Sequence, residues 1–191
     1  MASRRRAEHP ATLTTARLRL RELTLADTDA LLEVLGDPEV MRYYPSPRDR
    51  AGTEQWIRAT LDSYATAGFG LWAIERLEDG AFLGDCGPML QPVEGRSMAE
   101  VGYHLLRREW GKGYATEAAE ACVEWVFRET DHDRVCSIVR PDNLPSRRVA
   151  ARIHRQMRPF IWERAGFEMC LFATDRDERG QPTLAARGIA A

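Results

Sequence analysis

Apolar and polar positions along this chain change period several times, and each change marks an element. Arg17 to Leu23 alternates strictly, which predicts a half-buried strand. Thr24 then stands where a helix cap belongs, with Asp27 three positions on and Leu25, Leu31, Leu32 and Leu35 as the apolar stripe. Gly36-Asp37-Pro38 stops that helix, and Glu39 to Tyr44 is expected to add one turn before Pro45-Ser46-Pro47. A second helix is predicted from Asp49 to Ala67, with Trp56, Ile57, Leu61 and Tyr64 on one face and Gly68 at its end. The pattern then turns to strands: 69–77, a turn at Asp79-Gly80, 81–90, a loop over 92–97, and 99–106.

A long amphipathic helix should follow from Ala115, with Ala118, Ala119, Cys122 and Val126 inward and Glu117, Glu120, Glu124 and Arg128 outward. Arg134 to Val139 reads as a short strand, Pro141 to Pro145 as a turn, and 146–155 as a helix. Residues 157–174 form either a hairpin turning near Ala165-Gly166 or an extension of that helix up to Gly166. Pro159 would break a helix, which favours the hairpin. Residues 1–12 lack periodicity and are expected to be a flexible arm, and 175–191 a disordered tail. The prediction is a single α/β domain over 13–174, in the order β-α-α-β-β-β-α-β-α-β-β. Its sheet is mixed and mostly antiparallel, with flanking helices.

Composition narrows the function classes. The 191 residues carry a net charge of −2 with no basic cluster, so a nucleic-acid partner is not expected. No apolar run approaches the length of a membrane span, and no apolar stretch follows the basic start Arg4-Arg5-Arg6. Neither a membrane partner nor a secretory signal is expected. Cys86, Cys122, Cys136 and Cys170 form no CxxC pair, so they read as buried free thiols in a reducing cytoplasm, with no metal.

The chemistry concentrates between Val101 and Thr116, where a strand meets a helix through Gly111-Lys112-Gly113. The first amides of a helix lack internal partners, and its dipole is positive there. Glycines admit a ligand close to the backbone, so the turn is an anion cradle suited to a phosphate or pyrophosphate. Lys112, the only lysine of the chain, adds a charge. The Walker spacing fails, because Gly113 follows Lys112. The dinucleotide fingerprint fails as well, because Thr116 holds the third glycine position and the strand follows a meander.

Arg108-Glu109-Trp110-Gly111-Lys112-Gly113 resembles the signature of the GNAT superfamily of acetyl-coenzyme A-dependent N-acetyltransferases. Trp110 to Ala118, Arg17 to Asp27 and Gly36 to Met41 are similar to its ribosomal-protein N-terminal alanine acetyltransferase branch. The resemblance covers about residues 13 to 174. It implies a GNAT-like fold and acetyl-CoA as co-substrate, with its pyrophosphate on the backbone from Trp110 through Tyr114 and Ala115 to Thr116, beside Arg108. The pantetheine arm would lie along Leu105 and Leu106 and meet Asn143, with Ser146 near the thiol. The acceptor is then a primary amine, of a protein N-terminus or a small molecule.

That reaction needs a base to take a proton from the amine. Glu100 and His104 share one face of the strand but stand roughly 13 Å apart, so only one can touch a given amine. The family's glutamate context, Ala99-Glu100-Val101, favours Glu100 over His104. The family's usual acid, a tyrosine seven positions after Asn143, is replaced by Ala150, which leaves Ser146 or water. Met41, Tyr43, Tyr44, Trp56 and Trp72 are expected to wall the acceptor. A coenzyme A-binding module without turnover is the alternative reading, and a homodimer stays open.

Overall fold

The computed structural model describes residues 13–189. Eight strands form one sheet in the order β1-β2-β3-β4-β5-β6-β8-β7. β1 (Leu13–Thr14) pairs with β2 (Leu18–Glu22), and α1 (Thr28–Leu35) and α2 (Arg50–Ala67) follow. β3 (Trp72–Arg76), β4 (Phe82–Val93) and β5 (Arg96–Leu105) make the meander. α3 (Tyr114–Glu129), β6 (Arg134–Val139), α4 (Leu144–Ile153), β7 (Gln156–Trp162) and β8 (Phe167–Asp175) complete the chain of elements. The expected order is observed, with β1 as an addition. The arm at 1–12 lies outside the described residues.

Local chemistry sets the helix ends. Asp49 caps α2 by accepting from the Gly52 amide at 2.8 Å, and Gly68 closes it with φ of 83°. Asn143 caps α4 in the same way, accepting from Ser146 N at 3.2 Å. The two sheet faces bury separate clusters. Even-numbered positions of β5 face α1 and α2, where Leu31, Leu35, Met41, Ile57, Leu71 and Leu106 pack. Odd-numbered positions face α3, where Val101 and Leu105 meet Ala118, Cys122 and Val126.

Residues 92–97 are not a loop. β4 and β5 continue to a two-residue turn at Glu94-Gly95, both in the left-handed region at φ of 50° and 72°. Pro92 is tolerated because β3 stops opposite Cys86, so the outer edge of β4 has no strand partner there. The hairpin reading of 157–174 is the observed one, β7 pairing with β8 from Gln156↔Ala173 to Trp162↔Phe167. Its edge curls onto the far end of β4, where Trp162 Nε1 donates to the Pro92 carbonyl. Residues 176–189, expected as a disordered tail, pack against the domain. Leu184 is buried beside Ala150 and Ala151, and its amide donates to the His154 carbonyl at 2.9 Å.

One irregularity of the sheet makes the site. β5 and β6 are the parallel pair, and they are in register only at Ala99↔Val135 and Glu100↔Cys136. Beyond that point they diverge. Ser137 Oγ bridges to the Val101 carbonyl at 2.8 Å, and the Tyr103 hydroxyl donates to the Ser146 carbonyl at 2.8 Å. Behind this junction His154 is fully buried between Ser137 and Thr174.

Candidate active site

The divergence of β5 from β6 opens a cavity of about 780 Å³ that runs from the start of α3 to the turn after α1. At one end lie Trp110 to Thr116. Gly111 and Gly113 hold φ of 78° and 85°, and no side chain caps α3, so its first amides point free into the cavity. A Cβ at Gly111 would meet nothing within 4 Å, which leaves room for a ligand against the backbone. Arg17 braces this turn: Nη1 donates to the Lys112 carbonyl at 3.0 Å, and the guanidinium lies over the Tyr114 ring. Lys112 is tied to Glu109 at 2.9 Å. Arg148 and Arg152, one turn apart on α4, line the same cavity and bring the charge that Lys112 shares with Glu109.

The middle of the cavity is the free edge of β5. Alternation along an antiparallel ladder turns the backbone groups of Val101, Tyr103 and Leu105 away from β4 and toward the gap. The Leu105 carbonyl already holds Trp110 Nε1 at 3.0 Å. Leu106 does not contribute, because its amide donates to the Leu83 carbonyl and its side chain is buried under α1 and α2. Arg108 also lies elsewhere, outside the cavity and paired with Glu33. Asn143 and Ser146 do line the gap, and the capping bond leaves the Asn143 amide NH₂ free. Ala150 is fully buried beneath α4, so no side chain projects from that position.

The far end holds Tyr43, Tyr44 and His104. His104 is 7% exposed and both ring nitrogens are engaged. Nδ1 lies 2.7 Å from Asp85 Oδ1 and Nε2 lies 2.7 Å from the Tyr44 hydroxyl. Trp56 Nε1 donates to the other oxygen of Asp85 at 3.0 Å. Trp56 therefore stands behind the site and not in its wall. Met41 and Trp72 are buried core side chains, Trp72 on the opposite face of the sheet against Trp125.

Glu100 does not line the cavity. It is 8% exposed, accepts from the Ile138 amide at 3.3 Å, and burial pushes its carboxyl up to about 7. The residue that sequence reasoning missed is Asp85, a fully buried carboxylate in the otherwise apolar 81–90 segment. A lone charge inside an apolar strand was the signal. Its partner became visible only through the register Asp85↔His104. Among the described residues no cluster of side chains could hold a metal ion, and no helix is long and apolar enough to cross a membrane.

Comparison with known proteins agrees with this geometry. The family model for the acetyltransferase (GNAT) domain matches residues 17–156. The uncharacterized N-acetyltransferase p20 of Bacillus licheniformis is 35% identical over 138 residues, 71% of this chain and 76% of that protein. An acetyltransferase of Agrobacterium tumefaciens str. C58 superposes with a TM-score of 0.76 at 27% identity, covering 90% of this chain and 98% of that one. RimL, a ribosomal L7/L12 alpha-N-protein acetyltransferase solved in complex with coenzyme A, shares the fold. Its TM-score is 0.69 at 18% identity, over 86% of this chain and 98% of that one. A splayed β5–β6 pair, a glycine turn opening α3 and a matched domain model meet in one place, and the chain belongs to the GNAT acetyltransferase family.

Proposed function

We propose that this enzyme transfers the acetyl group of acetyl-CoA to a primary amine by direct attack, without a covalent enzyme intermediate. The observation that carries the reading is the single cavity joining the free amides of α3 to the His104–Tyr44 pair. The amides from Gly111 to Thr116 would hold the pyrophosphate, since orphan helix N–H groups and the positive dipole end favour an anion. Arg148 and Arg152 would add charge for the remaining phosphate. The Tyr103 and Leu105 backbone would pair with the amide-rich pantetheine arm as with a neighbouring strand. Asn143 would complete that pairing through its free NH₂.

The acceptor enters on the side of Tyr43 and Tyr44. A small-molecule amine and a protein N-terminus both suit an opening of this kind, and RimL among the structural neighbours bears a name of the second class. The test is calorimetry with acetyl-CoA together with thiol release over a panel of amines. Micromolar binding and amine-dependent thiol release are expected. Gly113→Asp places a carboxylate beside the pyrophosphate and should weaken binding at least tenfold. Unchanged affinity in that variant would remove the cofactor assignment. Tight binding with no thiol release from any amine would favour a coenzyme A-binding module instead.

A further inference from the structure

We propose that Asp85, His104 and Tyr44 form a proton relay in which the Tyr44 hydroxyl, and not Glu100, touches the acceptor amine. The inference rests on the acetyl-transfer reading above and assigns its acid–base groups. His104 is buried and both its nitrogens are occupied, so an amine in the cavity cannot reach the imidazole directly. Tyr44 is 41% exposed and covers Nε2, so it is the member of the chain that faces the cavity. Asp85 has both oxygens taken by nitrogen donors, Oδ1 by His104 Nδ1–H and Oδ2 by Trp56 Nε1–H. A buried carboxyl placed between two nitrogens accepts from both, and this pairing holds the imidazole in the Nδ1–H tautomer. Nε2 then carries the lone pair that accepts from the Tyr44 O–H.

The proton inventory closes without another reactant. As the neutral amine attacks the thioester carbonyl, its nitrogen gives a proton to the Tyr44 oxygen while the Tyr44 proton passes to His104 Nε2. The resulting imidazolium is paired with Asp85. Collapse of the tetrahedral intermediate breaks the C–S bond. The same proton returns through Tyr44 to the departing thiolate, giving amide and free thiol. Tyr44 and His104 are catalytic in this scheme, and Asp85 and Trp56 are positioning residues. The groups that face His104 are Asp85 from β4, Tyr44 from the α1–α2 connection, and Trp56 from α2, over whose ring Arg48 lies. Glu100 stands four residues back on its own strand.

Two measurements on the full chain test the relay separately from the function. Imidazole ¹⁵N NMR of the free protein should show a downfield Nδ1-bound proton on His104 that disappears in Asp85→Asn. An Nε2–H tautomer in the wild type overturns the relay whatever the enzyme turns over. In steady-state kinetics with the best amine, Tyr44→Phe and His104→Gln should each lower kcat by about 10²–10⁴-fold. Acetyl-CoA affinity should be retained in both. Asp85→Asn no longer fixes the imidazole tautomer, so it should lower kcat while acetyl-CoA affinity is retained. Should that variant fail to fold, Trp56→Phe, which deletes one donor to Asp85, should shift the Nδ1-bound proton signal of His104 without abolishing it. Wild-type rates in Tyr44→Phe and His104→Gln, with a deep loss in Glu100→Gln, would return the base to Glu100. Absence of acetyl-CoA binding by the wild type would count against the function and not against the relay, which the NMR still reads.

Discussion

Glu100 and His154 are buried titratable side chains whose effects on stability oppose each other. Burial raises the Glu100 carboxyl to about 7 from 4.5. Between those values the folded protein holds a proton that the unfolded chain has released, so stability falls as pH rises. Burial lowers His154 from 6.5 to about 3, with the Arg155 charge adding to the shift. There the unfolded chain holds the extra proton, so stability rises with pH between about 3 and 6.5. Each slope is about 1.4 kcal/mol per pH unit, and they overlap between roughly pH 4.5 and 6.5. The wild type should therefore be nearly flat in that window. Glu100→Gln should unmask a rise with pH and His154→Gln a fall, read from urea midpoints at several pH values. Parallel curves for the three proteins would show that these groups are not buried as described. The carboxylates held down by arginines, such as Asp27 and Asp175, act below this window. Neither sign was legible in the sequence, where Glu100 is one residue in an alternating strand and His154 one residue near the end of a helical segment.

At the scale of elements, the β4–β5 hairpin does most to place the site. Gly84 sits at φ of 150°, and a Cβ there would lie 2.0 Å from the His104 carbonyl oxygen. That backbone belongs to the strand carrying His104, so it cannot yield without moving the ring. Gly84→Ala should destabilise the fold by about 1–3 kcal/mol, the range of steric insertions into fixed backbone. It should also weaken the Asp85–His104 contact. Thermal melts and the His104 NMR signal check both. A variant as stable as the wild type would mean the strands separate here at little cost. Element type and order were readable from periodicity, because each strand and helix buries one face. The length of this hairpin was not, since Pro92, Glu94 and Gly95 spell a loop locally. The strand continues because β5 offers ten consecutive partners from Gly84↔Leu105 to Val93↔Arg96.

For the whole molecule, residues 176–189 are part of the folded unit. Leu184 is 4% exposed against α4, and Ala185 donates to the Ala151 carbonyl at 2.9 Å. Arg155 reaches the carbonyls of Arg179 and Gln181 from the other side. Leu184→Ala should cost about 2–4 kcal/mol by urea denaturation, as expected for a buried leucine, while acetyl-CoA binding stays intact. A loss under about 0.5 kcal/mol, the range of surface substitutions, would put the tail back in solvent.

The sequence by itself determined the strand and helix order, the glycine turn at the start of α3, the Asp79-Gly80 turn and the family. All of these are local: a period, a turn dipeptide, two residues free to take positive φ. It also brought His104, Tyr43, Tyr44 and Ser146 into the candidate set. Tertiary structure decided which of the candidates meet. The divergence of β5 from β6 makes the cavity, the β4–β5 register sets Asp85 against His104, and the turn after α1 lays Tyr44 over the ring. The same packing takes Met41 and Trp72 into the core, Trp56 behind Asp85, and Glu100 out of the cavity wall. The physical reason is that a proton passes only between groups in hydrogen-bond contact. Asp85 and Tyr44, 19 and 60 positions from His104, reach that contact through sheet register and helix packing, which no local pattern encodes.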